Sequence, residues 1–122
     1  FMISYTDLFG GQRAKLVPTQ AINDMAVDGA GFAGFATWLD LTPAHPDMMA
    51  VPDPESAIQL PWKKEVAWLA SNCVMEEKPV KQAPRNVLEK LIGELGIDED
   101  SHVVVSHHTE HPPNARRGIE TF

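Results

Sequence analysis

The clearest periodicity along the chain lies at Pro84–Leu95, where Val87, Leu88, Leu91, Ile92 and Leu95 recur at helical spacing and form one apolar stripe. Pro84 suits a first turn that has no use for its missing N–H, Arg85 and Glu89 stand four apart, and Gly96 is placed to end the helix. Towards the N-terminus the pattern shortens. Residues 1–9 are rich in β-branched and aromatic side chains, Gly10-Gly11 follow, and in 12–17 the apolar Ala14 and Leu16 alternate with Arg13 and Lys15. Two strand-like runs about a Gly-Gly pair predict a β-hairpin, because glycine reaches the positive φ values of tight turns. Pro18 is expected to end the second strand, Thr19 to cap a short helix over 20–27, and Gly29 to close it.

Residues 28–64 hold three glycines within 29–34 and then Pro43, Pro46, Pro52, Pro54 and Pro61, a density that no long helix survives. Short extended runs fit between the breaks at 48–51, 57–60 and 65–75. In the last of these, Val66, Trp68, Ala70 and Val74 mark the apolar side, and Trp68 is expected in the core. Strands, a helix, more strands and a helix make an α+β pattern, without the regular alternation of a parallel α/β sheet.

Composition narrows this picture. The 122 residues, 43% hydrophobic and 22% charged, suit one globular domain. No apolar run approaches the roughly 20 residues that span a bilayer, so no membrane partner is expected. No basic region precedes an apolar one at the N-terminus, so no secretory leader is expected either. Cys73 stands alone and forms no internal disulfide, which points to the cytoplasm. A net charge of −7 argues against nucleic acid, which needs a basic face. Residues 1–100 carry fifteen acidic and eight basic side chains, whereas 101–122 carry two of each and four of the five histidines. The last segment is therefore expected to differ in kind from the body. The opening Phe1, in place of Met, suggests a reading frame that starts further upstream.

Candidate chemistry is sparse. Residues 29–34 fit the letters G-x-G-x-x-G, but a helix rather than a strand is expected before them, so a flexible or ligand-facing loop is the better reading than a dinucleotide turn. His107 and His111 have the i, i+4 spacing of a metal pair, yet Pro112-Pro113 follow and Val103-Val104-Val105 prefer a strand, which favours a solvated tail. Asp47, Asp53 and Glu55 sit in proline-rich turns where acids commonly serve solvation. Cys73 reads as a buried thiol, and Trp38, just past the glycines, is the aromatic residue to keep as a site candidate. No catalytic or metal-binding set emerges from the residues themselves.

The order of landmarks nevertheless resembles a known family. Tyr5-Thr-Asp-Leu-Phe-Gly-Gly-Gln-Arg-Ala-Lys-Leu-Val-Pro18 looks like the opening hairpin of glutamine synthetases, in which a strand ending in aspartate and a glycine turn lead to a strand ending in proline. Asp47-Met-Met-Ala-Val-Pro-Asp-Pro-Glu-Ser-Ala57 is similar to the family segment that runs from Asp-Met to Pro-Asp. Ala83-Pro-Arg-Asn-Val-Leu-Glu-Lys90 is similar to the Pro-Arg helix that begins its catalytic domain. The likeness covers residues 1 to about 97 and points to the type III-labelled rhizobial branch. It implies a β-grasp domain over 1–80, the start of a catalytic domain over 81–97, and a divergent, mobile tail over 98–122. It also implies ATP and Mg2+ as cofactors, glutamate and ammonia or a small amine as substrates, and a homo-oligomeric ring in which one subunit's β-grasp domain closes its neighbour's site.

In the family, a Phe-Asp-Gly-Ser-Ser loop helps attract ammonium, and counting back from Asp47-Met48 places it on Phe32-Ala-Gly-Phe-Ala36. The resemblance thus implies a substrate loop of Ala33, Gly34, Ala36, Trp38 and Asp40. Ala33 replaces the aspartate, and Asp28 or Asp40 is left as a substitute charge. An apolar loop would suit an alkylamine, so a γ-glutamylamine ligase is a second reading, and a non-catalytic β-grasp module is a third. Beyond Ile97 the family's Glu-x-Glu strand and its later ATP and metal motifs have no counterpart, as a frame change, a truncation or a new tail would produce. The 122-residue chain is accordingly expected to be inactive alone and, with its helix stripe short of partners, prone to associate.

Overall fold

A computed structural model describes residues 1–96. Seven strands form one mixed sheet: β1 (Met2–Thr6), β2 (Gln12–Leu16), β3 (Ala30–Phe32), β4 (Met48–Pro52), β5 (Ile58–Leu60), β6 (Lys63–Met75) and β7 (Lys78–Pro79). The path runs β2-β1-β6-β4-β3. The β1–β6 pair is parallel (Met2↔Trp68 to Ser4↔Ala70) and every other pair is antiparallel. The thirteen-residue β6 is the axis. Trp68 pairs with both β1 and β5, and Val74 with both β4 and β7, so each flank of β6 carries two strands in tandem.

The hairpin expected around Gly10-Gly11 is β1–β2, and Pro18 lies just past its second strand. Thr19 does not cap the following helix. A 3-10 turn at Thr19–Ala21 leads into α1 (Ile22–Asp28) with no side-chain cap at either start, because Pro18 already sets the extended approach (φ −65°, ψ 150°). Gly29 closes α1 as expected.

The glycine-rich stretch departs from the expectation of a flexible loop. Ala30–Phe32 is a strand, antiparallel to β4 through Ala30↔Ala50 and Phe32↔Met48. Its short length and glycine content hide it from periodicity. What the glycines provide is close approach: a Cβ on Gly34 would lie 2.7 Å from the Pro46 carbonyl oxygen, and one on Gly29 would lie 3.0 Å from that of Ala50.

The phase of β6 also differs. Trp68 is only half-buried, and the buried positions are Val66, Leu69, Ser71 and Cys73. The ladder with β5 jumps from Gln59↔Ala67 to Leu60↔Lys63, and that irregularity reverses the inward set between Val66 and Leu69. The core on the inward face gathers Ile3, Tyr5, Ala30, Leu39, Met48, Ala50, Cys73, Val80 and Ala83, with Ile22 and Met25 of α1 packed against it.

The last helix, α2 (Pro84–Leu95), has the expected bounds and ends at Gly96 in the left-handed conformation (φ 62°). Its stripe is only partly covered: Val87, Leu88, Leu91 and Leu95 all stay exposed. Polar bonds dock it. Asn86 Oδ1 accepts the Cys73 N–H (3.1 Å) while its Nδ2 donates to the carbonyls of Cys73 (2.6 Å) and Val80 (3.0 Å). Cys73 lies between the end of the β1 ladder at Ala70 and the start of the β7 ladder at Val74, so this side chain stands in for the missing strand. The whole is an α+β fold of β-grasp type, with two parallel neighbouring strands and a helix against one face.

Candidate functional site

The loop after β3 is held from beneath. Thr37 and Leu39 are fully buried. The Thr37 hydroxyl donates to the Gly34 carbonyl (2.6 Å), the Tyr5 hydroxyl donates to the Thr37 carbonyl (3.1 Å), and Gln82 Nε2 donates to the Leu39 carbonyl (2.7 Å). Burial, aided by the nearby Cys73 thiol, pushes the Tyr5 phenol up to about 12, so it remains a donor at any physiological pH. The residues between these anchors face outward. Ala33, Ala36, Trp38 and Asp40 are exposed, while Gly34 is buried against the 45–46 main chain. Trp38 (φ 57°) and Asp40 (φ 58°) both adopt left-handed backbone on either side of Leu39. A bulky residue accepts that strain only where its surroundings impose it.

The tip of the β1–β2 hairpin lies beside this loop. The Leu8 N–H donates to the Trp38 carbonyl (3.2 Å), and Phe9 meets Trp38 edge-to-face at 5.6 Å. Asp7 organises the tip. It is buried, and its Oδ1 accepts the N–H groups of Phe9 (2.9 Å) and Gly11 (2.8 Å) while its Oδ2 accepts Arg13 Nε (2.8 Å). The Arg13 guanidinium, with those two main-chain N–H groups, holds the Asp7 carboxyl below the usual carboxylate range despite its burial. Arg13 in turn lies over the Trp38 ring at 5.3 Å. Lys15 donates to the Gly31 carbonyl and lies over the Phe32 ring at 4.7 Å, and Phe32 packs edge-to-face on Tyr5 at 5.0 Å.

Ala33, Gly34, Ala36, Trp38 and Asp40 lie on this loop, with only Gly34 buried. Asp7, Phe9, Arg13 and Lys15 join the loop here without standing out in the sequence pattern. The signals for them are an aspartate four residues before a glycine, which favours a side-chain-closed turn, and two cations two apart on one strand. Cys73 is buried, and burial pushes its thiol up to about 12, which leaves it protonated and inert. Asp53 caps the 3-10 turn Pro54–Ser56 through the Glu55 N–H and pairs with Arg85, so it is spoken for. Among the described residues no three His, Cys, Asp or Glu side chains group so as to hold a metal ion. The histidines of 102–111 lie outside the described residues. A cavity of about 780 Å³ flanks α2 between Val74, Pro79, Asn86 and Lys90, and no residue of the loop lines it.

No family model matches the chain. Over 94 residues it is 76% identical to the glutamine synthetase of Rhizobium leguminosarum bv. phaseoli and 71% identical to that of Rhizobium meliloti strain 1021. Over these residues the chain matches part of a glutamine synthetase. Each match takes in 77% of this chain and 22% of the relative, so the chain spans about a fifth of the length of these glutamine synthetases. The glutamate–methylamine ligase of Methyloversatilis universalis is 33% identical over 96 residues, with the same coverage. Among solved structures, GmaS in complex with ADP superposes with a TM-score of 0.76 at 58% identity, over 78% of this chain and 22% of that one. Apo GmaS gives 0.74 at 59% identity, over 76% and 22%. The likeness to these structures accounts for the mixed sheet. Among the described residues no helix is long and apolar enough to cross a membrane.

Proposed function

We propose that this chain is the N-terminal portion of a glutamate–ammonia ligase, which uses ATP to form an amide on the glutamate side chain. The observation that carries the proposal is the 76% identity to the Rhizobium leguminosarum glutamine synthetase. In this reading residues 1–80 are the β-grasp domain and α2 opens the catalytic domain. The loop of Ala33, Gly34, Ala36, Trp38 and Asp40 faces the amine acceptor, in a cytoplasmic homo-oligomeric ring where it completes a neighbour's site. The described residues do not fit a Mg2+ site, for they bring no cluster of ligands together, and no step through the metal or the nucleotide is assigned to them. Their part is positional. Buried Thr37 and Leu39 fix the loop, so its outward residues meet a substrate without first having to be ordered.

The alkylamine reading keeps a specific observation in its favour. Ala33 is exposed on a loop that also presents Phe35 and Trp38, so the loop offers an alkyl group apolar contact and offers an ammonium ion no carboxylate at that position. Both readings are tested by γ-glutamyl transfer assays on this chain and on a product extended to the length of its relatives, with ammonium and methylammonium as acceptors. Activity is expected only in the extended product, with ammonium preferred. Preference for methylammonium would install the second reading, and an extended product silent with both would overturn the ligase assignment.

A further inference from the structure

Arg13 and Lys15 of β2 stand directly opposite Tyr5 and Ile3 of β1. Opposed residues of an antiparallel pair send their side chains to one face, so both cations rise on the face that carries the 33–40 loop. Each meets an aromatic ring there, Arg13 that of Trp38 and Lys15 that of Phe32. The 33–40 loop and the end of β3 before it are therefore flanked by two positive charges.

Arg13 is held but not used up. Of the five N–H donors of a guanidinium, the one on Nε goes to Asp7, and the described residues offer its two Nη groups no acceptor. The side chain is 41% exposed. Buried Asp7 fixes one end of the guanidinium and Trp38 one face, and Trp38 is itself clamped in left-handed backbone by buried Leu39 and the Leu8 N–H. Asp7 pairs with Arg13, and Lys15 has no carboxylate partner among the described residues.

We propose that Arg13 and Lys15 form a receptor for the carboxylate of a small molecule, with the Nη fork of Arg13 as the main contact and Lys15 as the second charge. A planar, pre-oriented fork matches the two oxygens of a carboxylate. The receptor follows from this arrangement alone; naming glutamate as its ligand rests on the ligase reading.

The test is a titration of the whole chain with glutamate and, separately, with glutarate, at matched ionic strength, following the Nε–Hε signals of its four arginines and the tryptophan indole signals. The expected result is a saturable shift of Arg13 and Trp38 that is independent of protein concentration and absent with methylammonium chloride. Arg13→Lys keeps the charge and loses the fork, and should weaken binding about five- to tenfold. Lys15→Gln should weaken it about twofold. An Arg13 signal that stays still, or shifts only as protein concentration rises, overturns the receptor; the second outcome would mean that an acidic side chain of another copy is the occupant. Should Arg13→Lys fail to fold, the titration of the unaltered chain still decides. Saturable binding alongside a silent extended product would keep the receptor and remove the ligase, and an active ligase whose Arg13 never responds would do the reverse.

Discussion

Replacing the glycines of residues 29–34 one at a time by alanine separates a strand packed on main chain from a loop that cradles a ligand. At Gly34 the new methyl would sit 2.7 Å from the Pro46 carbonyl oxygen, a main-chain atom that cannot swing aside as a side chain would. Overpacking of this kind costs about 1–3 kcal/mol. At Gly29 the backbone stands at φ 80°, ψ 171°, a region nearly confined to glycine, and the methyl would also meet the Ala50 carbonyl at 3.0 Å; strain there costs about 1–3 kcal/mol. Gly31 is the control. Its methyl would lie 3.6 Å from Met49 Sδ, an ordinary contact, and alanine would restore about 0.5–1 kcal/mol of the entropy that glycine costs a strand.

Thermal unfolding followed by far-UV circular dichroism reads the difference. In a domain of this size 1 kcal/mol moves Tm by about 4–8 °C. Gly34→Ala and Gly29→Ala should each lower Tm by about 5–20 °C, while Gly31→Ala should leave it level or slightly raised. A phosphate-cradling loop predicts the opposite: three alanines that spare stability and damage only ligand binding. A Gly34→Ala chain that melts with the parent, or a Gly31→Ala chain that falls as far as Gly34→Ala, would refute the close-packing account.

Two other predictions concern the polar scaffold. The folded-state pKa of Asp7 lies below its value of about 3.9 in an unfolded chain, so its contribution is complete above that value and is lost as pH falls through the folded pKa. The urea midpoint of the parent should therefore approach that of Asp7→Asn as pH drops from 6 towards 3, and a gap that stays constant with pH would remove the charge from the argument. Asn86→Ala leaves the Cys73 N–H without its acceptor and should cost about 1–3 kcal/mol. Asn86→Asp keeps that acceptor but loses both donated bonds, so hydrogen exchange at the Cys73 amide should accelerate in the alanine variant and stay slow in the aspartate one.

Elements that carry their own local signal were legible in the sequence. The hairpin shows through Gly10-Gly11 and Pro18, and α2 through its stripe, Pro84 and Gly96, with the same bounds in the structure. The misses share a cause. The three residues of β3 are too few for a period of two to register, and only Gly29, Gly34 and the pairing to β4 reveal them. In β6 the alternation reads as continuous through Trp68, but the irregularity opposite β5 flips it, and that information resides in the partner strand rather than in β6. The five residues reached by counting from Asp47 lie between β3 and β4, with only Gly34 buried. The cations beside them were missed because Arg13 and Lys15 read, along β2, as ordinary solvent-facing charges on an edge strand. Their relation to Trp38 and Phe32 depends on contacts some 17 to 25 positions away.

The landmarks that carried the family resemblance have a common physical meaning. Asp7 of the first motif closes the hairpin tip and fixes Arg13. Asp53 of the Pro-Asp motif and Arg85 of the Pro-Arg motif, far apart in sequence, form an ion pair. Asn72 of β6 joins it by accepting Arg85 Nε (2.8 Å) and donating to Glu89 (2.9 and 3.1 Å). This network ties the end of β4 to the first two turns of α2. Exposed ion pairs contribute little to stability individually, and this one is only partly buried. Its value is directional: a helix whose apolar stripe is still exposed on this chain gains a fixed orientation from polar bonds instead of from packing. A motif that sets the angle between two elements is constrained at both ends, by the carboxylate and by the guanidinium that must meet it. Short landmarks of this kind, spaced along the chain, therefore carry the likeness to glutamine synthetases independently of the loop residues between them.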